Sequence, residues 1–450
     1  MRDIFESQKQ FFQSGKTLSY EFRIEQLKKL RASIIEHEQM ILDALKKDLN
    51  KSAFEAYTTE IGFCLHSIRK VIKHLKRWMK PKKIKTPIYQ LNTSSFIVAE
   101  PKGTLLIIGP YNYPFQLIIE PLIGAIAAGN TAILKPSEFA RETEKILVHL
   151  INNLFDSSYL HVFSGDYKVT QELLTYPYDH IFFTGSTRVG QIVYEAASKN
   201  LVPVTLELGG KSPTIVDETA NIKVAARRIA FGKFINAGQT CIAPDYIYVH
   251  ASIHDQFVEE LNRVIVNLYA NMDHFGRIIN ERHYFRLLKL IDQSKVVGSS
   301  NTKEDERLIS PTVLKDVTWD DPIMKEEIFG PLLPVLTYDH IDELITVLQS
   351  KDKPLALYLF SENRSTQDKV WKRLSFGGGA INDTLMHISN PHLPFGGIGP
   401  SGIGAYHGQH SFQLFSHMKG YIKRSTWMDP PIAYPPYSKT KEKLIRKLLK

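Results

Sequence analysis

The sequence predicts an α/β protein in which a doubly wound parallel sheet is covered by helices. From residue 104 to residue 206, short apolar stretches alternate with stretches whose apolar residues recur at helical spacing, the pattern of strands joined by crossover helices. A second alternating block runs from about residue 215 to residue 393. With 450 residues, the chain is long enough for two or three domains that each bury a core.

The chain before the first block is predicted to be mostly helical. Between residues 1 and 80, Ile and Leu recur three or four positions apart, as they do on one face of a helix. Pro81 and Pro87 end this region. Residues 88–99 are rich in Thr, Ser, Ile and Val and predict a strand or a hairpin.

The same patterns place the individual elements of the two blocks. Strands are predicted at 104–108, 131–134, 161–163, 181–183, 204–206, 246–249, 332–336, 355–360 and 380–382. Helices are predicted at 117–128, 138–153, 189–198, 254–271 and 341–349. Residues 427–437 are rich in Pro and Tyr and predict an extended segment. A short basic amphipathic helix should follow, with an apolar side formed by Leu444, Ile445, Leu448 and Leu449.

The composition is that of an ordinary globular protein, with 43% hydrophobic and 23% charged residues. Two cysteines cannot form a disulfide framework, which favours a reducing cytosol. The N-terminal residues contain no apolar segment typical of a secretory signal. The longest apolar run, near 117–128, is interrupted by Glu120 and Pro121 and is too short to span a bilayer. We therefore expect a cytoplasmic protein.

The chain carries a net charge of +9, much of it in two basic clusters at 73–85 and 439–450. Such charge attracts nucleic acid, an anionic membrane surface or a phosphorylated cofactor, but solvated helix faces explain it as well. We expect no nucleic-acid partner. His37 and Glu38 do not begin a His-Glu-x-x-His zinc motif, because residue 41 is Ile, and no metal site is predicted.

Cys241 is the first candidate for chemistry. Gly238 permits a tight turn just before it and Pro244 restricts the backbone just after it. A thiol held in this way is suited to nucleophilic attack on a carbonyl group, although a buried structural thiol has the same signature. The other cysteine, Cys64, falls on the apolar side of its predicted helix and should belong to the core.

Three polar residues follow predicted strands, and ligand sites of parallel sheets collect at the carboxyl ends of strands. Asn112, in Gly-Pro-Tyr-Asn-Tyr-Pro after the strand 104–108, can offer its amide to a developing oxyanion or can simply shape a turn. Lys135 and Glu138 follow the strand 131–134. They can bind a phosphate or ribose hydroxyls, but helix entry explains this segment equally well.

A strand also meets a helix at Thr-Gly-Ser-Thr-Arg-Val-Gly, which includes Gly185, Ser186 and Gly190. A helix start with exposed N–H groups suits a pyrophosphate, although the segment is not Gly-x-Gly-x-x-Gly. Glu207 precedes Gly209 and follows another strand, so it can act as a general base for water or be a satisfied strand-end side chain.

Two later segments carry less information by themselves. Glu327 and Phe329 lie in Lys-Glu-Glu-Ile-Phe-Gly-Pro, an acidic pair beside an aromatic ring. Residues 393–404 contain so many glycines that the backbone must pack very closely or adopt positive φ repeatedly.

Taken together, in this order and at these separations, the motifs resemble those of the aldehyde dehydrogenase superfamily. The segments at 205–213, 236–246 and 394–408 are the most specific, and the resemblance extends to about residue 437. The class 3, fatty-aldehyde-like branch is the most similar, because of the short N-terminus, the Gly-x-Thr-x-x-Gly at 185–190 and the Tyr-Pro-Pro-Tyr near the end.

The resemblance implies an aldehyde dehydrogenase fold: a Rossmann-like dinucleotide-binding domain, an α/β catalytic domain and a small β oligomerisation arm. The NAD-binding domain is expected at 1–85 and 101–206, and the catalytic domain at 207–400. The oligomerisation arm is expected at 86–100 and 415–437, and a basic amphipathic tail at 438–450. A homodimer is expected.

The resemblance also implies a reaction, the NAD(P)-dependent oxidation of an apolar aliphatic or aromatic aldehyde to the acid through a thiohemiacetal and a thioester. Cys241 would be the nucleophile, Asn112 the oxyanion donor and Glu207 the base for water. The expected cofactor contacts are Lys135 and Glu138 for the adenosine ribose, Gly185 and Ser186 for the pyrophosphate, Glu327 for the nicotinamide ribose and Phe329 beside the ring, with Gly190 and Gly209 in the same motifs.

Several alternatives stay open. Glu138 favours NAD, because a 2′-phosphate would meet a carboxylate, but the branch accepts both nucleotides. A semialdehyde dehydrogenase would need a cation in the substrate funnel. A non-catalytic scaffold of the same fold would bind a membrane or nucleic acid through the tail. The tail itself is interpreted as an attachment to the inner membrane surface, a lid over the funnel or a solvated helix.

Overall fold

In a computed structural model of the protein, the structure describes residues 1–90, 92–429, 431–432 and 434–449. The α-helices are Arg2–Gln13, Tyr20–Glu36, Glu38–Leu49, Ala53–Ala56, Gly62–Trp78, Gln116–Ala128, Arg141–Leu154, Tyr167–Leu173, Thr187–Ser198, Ile222–Phe234, His254–Leu268, Glu281–Leu288, Ile341–Gln349, Arg364–Arg373, Gln409–Leu414 and Lys439–Leu448. The helix Ala53–Ala56 continues through a π-helical turn, Tyr57–Ile61, into the helix Gly62–Trp78.

The first sheet is parallel except at one edge. Its strands, in order across the sheet, are Gly402–Ile403, Val204–Glu207, His180–Thr184, Thr104–Ile108, Thr131–Lys135 and Leu160–Val162. The next two strands of the chain, 131–135 and 160–162, lie on one side of the strand 104–108. The following two, 180–184 and 204–207, lie on its other side. The order therefore reverses between 104–108 and 180–184, and ligands bind outside the carboxyl ends of strands at such a reversal.

The second sheet is built in the same way. Its order is Val296–Val297, Thr312–Leu314, Leu332–Tyr338, Tyr246–His250, Pro213–Val216, Ala356–Phe360 and Gly378–Ile381. Only the pairing of 296–297 with 312–314 is antiparallel among the described strands of this sheet. The predicted doubly wound α/β class is thus confirmed in two sheets.

The third sheet is antiparallel, with the order Lys82–Ile84, Thr93–Pro101 and Ser416–Arg424. The strand or hairpin predicted at 88–99 is present as the strand Thr93–Pro101, which pairs with Lys82–Ile84, while residues 88–90 form a turn. Every residue of Ser416–Arg424 after Ser416 is exposed. A two-residue antiparallel strand, Thr302–Lys303, pairs separately with Leu308–Ile309.

The helix Gln116–Ala128 lies at the centre of the protein. All of its residues are buried, as expected of a helix that is apolar on every side. It packs on the first sheet and against helices of the N-terminal region, including Tyr20–Glu36 and Gly62–Trp78. Cys64 is fully buried in this core, as predicted.

The predicted elements of both blocks are present, with shifted ends. The helix predicted at 138–153 begins at Arg141, because residues 136–140 form a turn after the strand. The helix predicted at 254–271 ends at Leu268, and Asn271 caps a separate short turn. Strands of two or three residues, such as 296–297 and 402–403, escaped prediction because they are too short for a periodic pattern.

The predicted C-terminal helix is confirmed at Lys439–Leu448, while residue 450 lies outside the described residues. The segment predicted to be extended, 427–437, includes Pro430 and Ala433, which also lie outside them. Its described residues form turns and bends but no strand. Within the described ranges, the structure contains no helix with the length and apolar character needed to cross a membrane.

Candidate active site

The loop that carries Cys241 is held in a strained conformation. Asn236, Ala237 and Gly238 precede the cysteine with φ values of 52°, 52° and 73°. Residues other than glycine cost roughly 1–2 kcal/mol each in this left-handed region. A Cβ on Gly238 would lie 2.2 Å from the carbonyl oxygen of Gly330. The loop is thus pressed against a second segment, and such strain is typical of sites that hold a group in one geometry.

Cys241 is partly exposed, so a substrate can reach it, although protein surrounds most of its sulfur. This burial, with the nearby carboxylates of Glu327 and Glu207, raises the pKa of the thiol to about 12. The main-chain N–H groups of Cys241 and Ile242 oppose the rise. The thiol is protonated near neutral pH, and nucleophilic attack must be accompanied by removal of its proton.

Glu207 ends the strand Val204–Glu207 and exposes only 2% of its surface. Neither carboxylate oxygen has a hydrogen-bond partner in the part of the chain that the structure describes. Burial raises the pKa of this carboxyl group well above its ordinary value. A buried and unpaired acid costs stability, and groups of this kind cluster at functional sites. Because its charge affects the pKa of Cys241, Glu207 belongs to the same site.

Asn112 follows the strand at 104–108 and is hydrogen-bonded through both its side chain and its main chain. Its Nδ2 atom donates to the carbonyl oxygen of Gln239 at 2.9 Å. Its own carbonyl oxygen accepts from Lys51 Nζ at 2.9 Å and from Asn236 Nδ2 at 2.8 Å. Since an amide nitrogen carries two hydrogens, Nδ2 has a second donor for a ligand.

A further hydrogen bond joins the same two loops. The Tyr113 hydroxyl and Thr240 Oγ1 are 2.7 Å apart, and Thr240 immediately precedes Cys241. The candidate nucleophile and the candidate oxyanion donor are therefore fixed relative to each other.

Lys135 ends the strand Thr131–Lys135 and is almost fully buried. Its Nζ atom donates to the carbonyl oxygen of Pro136 at 2.5 Å and lies 4.0 Å from the carboxylates of Glu138 and Glu144. The Glu138 side chain remains about one third exposed. A cation beside an accessible carboxylate, at the end of a parallel strand, presents a donor and an acceptor suited to the hydroxyls of a ribose.

The helix Thr187–Ser198 begins directly after the strand His180–Thr184, and Ser186 caps it by accepting from the N–H of Val189. The first N–H groups of a helix have no partner within the helix, so this end is suited to an anion. The buried Thr184 hydroxyl at the end of the strand has no hydrogen-bond partner among the described residues.

The two glycines of this segment are explained by packing. A Cβ on Gly185 would lie 2.6 Å from the ring of Phe183, and one on Gly190 would lie 2.6 Å from Leu208. Gly190 therefore lets the helix approach the chain that follows Glu207. Close helix–strand packing is also the task of the third glycine in dinucleotide-binding turns.

Glu327 lies against Gly209. A side chain at position 209 would collide with the carboxylate of Glu327. Burial and the neighbouring Asp245 raise the pKa of Glu327 to about 8, while the N–H of Gly210 and the cation of Lys211 oppose the rise. Glu327 therefore titrates close to neutral pH, beside the chain segment that carries Glu207.

Phe329 has a φ of 48°, in the left-handed region, so its ring points in a different direction from that of a residue in extended backbone. The ring lies 5.9 Å from that of Tyr111 at an angle of 81°. Tyr111 in turn contacts the rings of Phe139 and His283. An aromatic wall thus joins the Asn112 loop to the segment around Glu327.

The structure brings the predicted residues into two groups along one edge of the first sheet. Cys241, Glu207 and Glu327 are close enough for their charges to interact, and the Asn112 loop is bonded to the Cys241 loop. The other group, at the carboxyl ends of neighbouring strands, contains Lys135, Glu138, Gly185 and Ser186. The groups are continuous, because the N–H of Gly185 donates to the carbonyl of Glu207 at 3.0 Å.

Sequence reasoning missed the residues that hold Asn112. Lys51 and Glu60 form a fully buried ion pair with a distance of 2.5 Å, and Asn236 and Gln239 bond the Asn112 loop. The sequence contained a signal for the last two, because they lie in the most specific motif. It contained none for Lys51 and Glu60, which lie far from Asn112 along the chain.

A cavity of about 530 Å³ lies between the N-terminal helices and the chain around His407. Glu120 and His407 are among its lining residues, and each has a buried atom, Oε2 and Nε2 respectively, without a hydrogen-bond partner in the described ranges. Arg31, Arg69 and Lys70 also line it. Tyr406 precedes His407 in the chain, and its pKa is raised mainly by burial. The charges of Glu207, Glu120 and Cys241 raise it further. The cavity thus adjoins the candidate active site.

Within the described residues, no group of three or more His, Cys, Asp or Glu is arranged to hold a metal ion.

Comparison with known proteins agrees with this geometry. The family model described as "Aldehyde dehydrogenase family" matches residues 1–420. The chain is 54% identical over 452 residues to 4,4'-diaponeurosporen-aldehyde dehydrogenase of Staphylococcus aureus (strain NCTC 8325 / PS 47), covering 99% of this chain and 98% of that protein. It is 43% identical over 445 residues to aldehyde dehydrogenase family 3 member B2 of Mus musculus, covering 98% and 93%.

Among solved structures, the substrate-bound state of Staphylococcus aureus AldH superimposes with a TM-score of 0.98 at 53% identity, covering 100% of this chain and 99% of that one. The resemblance inferred from the motifs, including that to class 3, is confirmed. The chain belongs to the aldehyde dehydrogenase family.

Proposed function

We propose that this aldehyde dehydrogenase oxidises an apolar aldehyde to the carboxylic acid through a covalent intermediate on Cys241. One observation carries the proposal. A partly exposed thiol, a buried carboxyl group without a hydrogen-bond partner in the described residues and a fixed amide donor lie in one site. These are the nucleophile, the base and the oxyanion donor that acyl chemistry on a carbonyl group requires.

The first step is attack of the Cys241 sulfur on the aldehyde carbon, as the partly exposed thiol passes its proton to solvent water. The free hydrogen of Asn112 Nδ2 and the N–H of Cys241 then stabilise the alkoxide oxygen of the thiohemiacetal. Their positions are fixed beforehand by the hydrogen bonds between the two loops. Preorganised donors of this kind are effective because they need not reorient as the charge develops.

The later steps use Glu207 and the cofactor. When bound, the nicotinamide supplies the hydride acceptor that makes the reaction an oxidation. Glu207 takes a proton from the water that attacks the Cys241 thioester, and the acid and the free thiol are released. Its raised pKa suits this task, because the ionised form of an acid with a higher pKa is the stronger proton acceptor.

The residues of the site fit a nicotinamide dinucleotide. Lys135 and Glu138 would hold the adenosine ribose, and the helix end at Gly185 and Ser186 would face the pyrophosphate. Glu327 would hold the nicotinamide ribose, with Phe329 beside the ring. The buried, unpartnered hydroxyl of Thr184 supports the assignment, because it leaves a polar atom for a ligand at this edge.

The family uses NAD or NADP, and we propose NAD for this chain. The Glu138 carboxylate is accessible and lies beside Lys135. A 2′-phosphate on the ribose would meet this negative charge, whereas a 2′-hydroxyl would donate to it.

The preferred substrate is proposed to be a medium or long apolar aldehyde. The relative that is named for a diaponeurosporen-aldehyde supports this proposal at 54% identity. A specific observation favours a second candidate, an aldehyde whose far end is anionic. Arg31, Arg69 and Lys70 line the cavity beside the active site, and such cations would attract a distal carboxylate.

The proposed assembly is a homodimer formed through the third sheet. Its edge strand Ser416–Arg424 is long and exposed. Such an edge presents unpaired main-chain groups and is managed in proteins by covering it. A second copy of this chain would provide that cover.

We also propose a cytoplasmic location with peripheral contact at the membrane surface. The helix Lys439–Leu448 exposes Leu444 and Leu448 beside its basic side chains. Single amphipathic helices of this kind bind anionic surfaces weakly. Flotation with anionic vesicles should separate the full chain from a chain ending at Tyr437, and equal behaviour would rule this contact out.

The function is tested by NADH formation at 340 nm with purified protein. The panel contains aliphatic aldehydes of increasing length, aromatic aldehydes and aldehydes with a terminal carboxylate, each with NAD and with NADP. Activity that rises with apolar length supports the proposal, while activity restricted to carboxylated aldehydes supports the second candidate. Cys241→Ala should abolish turnover, and unchanged NADH formation would contradict the mechanism.

A further inference from the structure

We propose that the buried Lys51–Glu60 ion pair, together with Asn236, is a positioning device for Asn112 that sets the rate of attack on the aldehyde. The inference rests on the proposed function, because it assumes that Asn112 stabilises the oxyanion. It adds residues that contact neither substrate nor cofactor and that act through Asn112.

Lys51 reaches the Asn112 loop from the link between the helices Glu38–Leu49 and Ala53–Ala56. Its side chain is fully buried. Its Nζ atom donates to the Asn112 carbonyl oxygen at 2.9 Å and to Glu60 at 2.5 Å, and lies 4.0 Å from the centre of the Tyr113 ring. The Lys51 ammonium thus contacts two consecutive residues, Asn112 and Tyr113, and restricts the movement of their loop.

Glu60 holds the far end of the same loop. Its second oxygen accepts from the N–H groups of Phe115 at 2.9 Å and Gln116 at 3.1 Å, where the central helix Gln116–Ala128 begins. A carboxylate at a helix start is stabilised by the unpaired N–H groups and by the helix dipole. The ion pair therefore ties the loop from Asn112 to Gln116 at both ends.

A π-helical turn, Tyr57–Ile61, brings Glu60 to this position. The turn adds a residue to the helical repeat between Ala53–Ala56 and Gly62–Trp78 and buries Glu60 completely. Such turns are rare and occur frequently at functional sites.

Asn236 links the device to the nucleophile loop. Its Nδ2 atom donates to the Asn112 carbonyl at 2.8 Å and to the Gln239 carbonyl at 3.1 Å. Gln239 in turn accepts from the side chain of Asn112. The main-chain N–H of Asn236 donates to Glu55 at 2.9 Å. The orientation of the Asn112 amide is thus determined jointly by the N-terminal helices and by the loop of Cys241.

A gain in stability alone does not explain the buried Lys51–Glu60 ion pair. Burying two charges is costly because both lose their hydration, and apolar replacements of a buried pair are often neutral or stabilising. The chain holds another buried cation, Arg23, whose guanidinium donates to the carbonyl oxygens of Thr17 and Ala127. Arg23 supports the fold without touching the active-site loops and serves as the matched control.

The test uses Lys51→Met/Glu60→Gln, which removes both charges. The new side-chain amide at position 60 keeps an oxygen that can accept from the helix start. We expect kcat to fall about ten- to a hundred-fold, because a small misplacement of a reacting group has effects of this size. The KM for NAD should change less than twofold. Arg23→Met should lower the melting temperature and leave the kcat of the folded protein unchanged.

A double-mutant cycle with Asn112→Ala separates positioning from a general loss of structure. In the Asn112→Ala background, Lys51→Met/Glu60→Gln should have little further effect on kcat, because the group it positions is already missing. Equal losses in both backgrounds would overturn the inference. The acylation burst of p-nitrophenyl acetate without nucleotide should slow in parallel, since formation of the acyl-enzyme needs the thiol and the oxyanion donor but neither the cofactor nor the base for water.

The outcomes distinguish this inference from the proposed function. If Asn112→Ala lowers kcat strongly and Lys51→Met/Glu60→Gln does not, the positioning role is wrong and the function stands. If Asn112→Ala has no effect, the oxyanion assignment fails and the inference fails with it. Should the double variant not fold, Asn236→Ala removes the other donor to the Asn112 carbonyl. It must then show the loss and the same non-additivity, and unchanged kcat would overturn the inference.

Discussion

The carboxylate of Glu327 occupies the space that a side chain on Gly209 would need. A Cβ on Gly209 would lie 2.2 Å from Glu327 Oε2. The segment that follows Glu207 and the segment that precedes Phe329 are therefore in contact at this point. A carboxylate that we propose to bind the nicotinamide ribose is placed within the active site because residue 209 has no side chain.

Gly209→Ala should displace Glu327 and weaken cofactor binding. Glu327 is ionised above its pKa of about 8, and a hydrogen bond to a charged group contributes about 1.5–3 kcal/mol. At pH 9 we therefore expect the KM for NAD to rise about tenfold or more. The KM for the aldehyde should change less. Gly420→Ala, where the added Cβ would meet no atom within 4 Å, is the matched control. Equal effects of the two substitutions would contradict the proposed role of Glu327.

The sequence was sufficient to identify the candidate residues that lie in continuous motifs. Glu207 and Asn112 each follow a predicted strand, Cys241 lies in one of the most specific motifs, and the structure brings their loops together. The sequence was not sufficient to predict the contacts of Lys51 and Glu60 with the site, because a polar residue in a helical region is normally taken as solvent-exposed. The π-helical turn that buries Glu60 shifts the helical repeat, and no periodicity rule anticipates it.

The two sheets could be predicted because their buried strands form continuous apolar runs, as in Thr104–Ile108. The third sheet could be predicted only in part. Its strand Ser416–Arg424 is exposed from His417 onward, so neither alternation nor an apolar run marks it. Short edge strands such as Gly402–Ile403 depend on contacts with distant parts of the chain.

Glu207→Gln should slow hydrolysis of the thioester more than its formation. The amide cannot take a proton from water, while attack by Cys241 and hydride transfer do not require a base for water. We expect a pre-steady-state burst of NADH close to one equivalent per active site, followed by turnover reduced about 10²-fold or more. Stopped-flow absorbance at 340 nm measures both phases. A variant without a burst would show that Glu207 acts before or during acylation.

Alkylation of Cys241 in the protein without nucleotide should accelerate with pH. Its pKa is raised to about 12, so the reactive thiolate increases about tenfold per pH unit between pH 7 and pH 9. Iodoacetamide labelling followed by mass spectrometry gives the rate. Cys64, which is fully buried, should stay unlabelled and serves as the internal control. A rate that levels off below pH 8 would mean that the thiol is activated more strongly than its surroundings indicate.

Glu138→Gln should shift the cofactor preference toward NADP. Removing the carboxylate removes its repulsion of a 2′-phosphate and leaves Lys135 as a cation next to it. We expect the ratio of kcat/KM for NADP to that for NAD to rise about tenfold, corresponding to roughly 1.4 kcal/mol. Glu142→Gln is a suitable control, because Glu142 lies at the start of the following helix and pairs with Lys145. An unchanged ratio would remove Glu138 from the ribose site.

Glu120→Gln should stabilise the protein in a pH-dependent manner. Glu120 is buried in the central helix, and burial raises its pKa from 4.5 to about 7. A hydrogen bond from Ser67 lowers the pKa and so opposes this rise. Between these two values the unfolded chain has lost the proton that the folded protein retains. The free energy of unfolding therefore falls as the pH rises through this range and is lowest above pH 7.

A glutamine cannot ionise, and its oxygen can still accept from Ser67. The variant should be more stable than the parent by up to about 3 kcal/mol at pH 8. The difference should shrink toward zero below pH 4.5, where both states of the parent hold the proton. Urea unfolding followed by tryptophan fluorescence at pH 5 and pH 8 measures it. Ser67→Ala removes the hydrogen bond without removing the titrating group, so the parent's main pH dependence should persist in it. A stability gain in Glu120→Gln of the same size at both pH values would mean that Glu120 is not protonated in the folded protein.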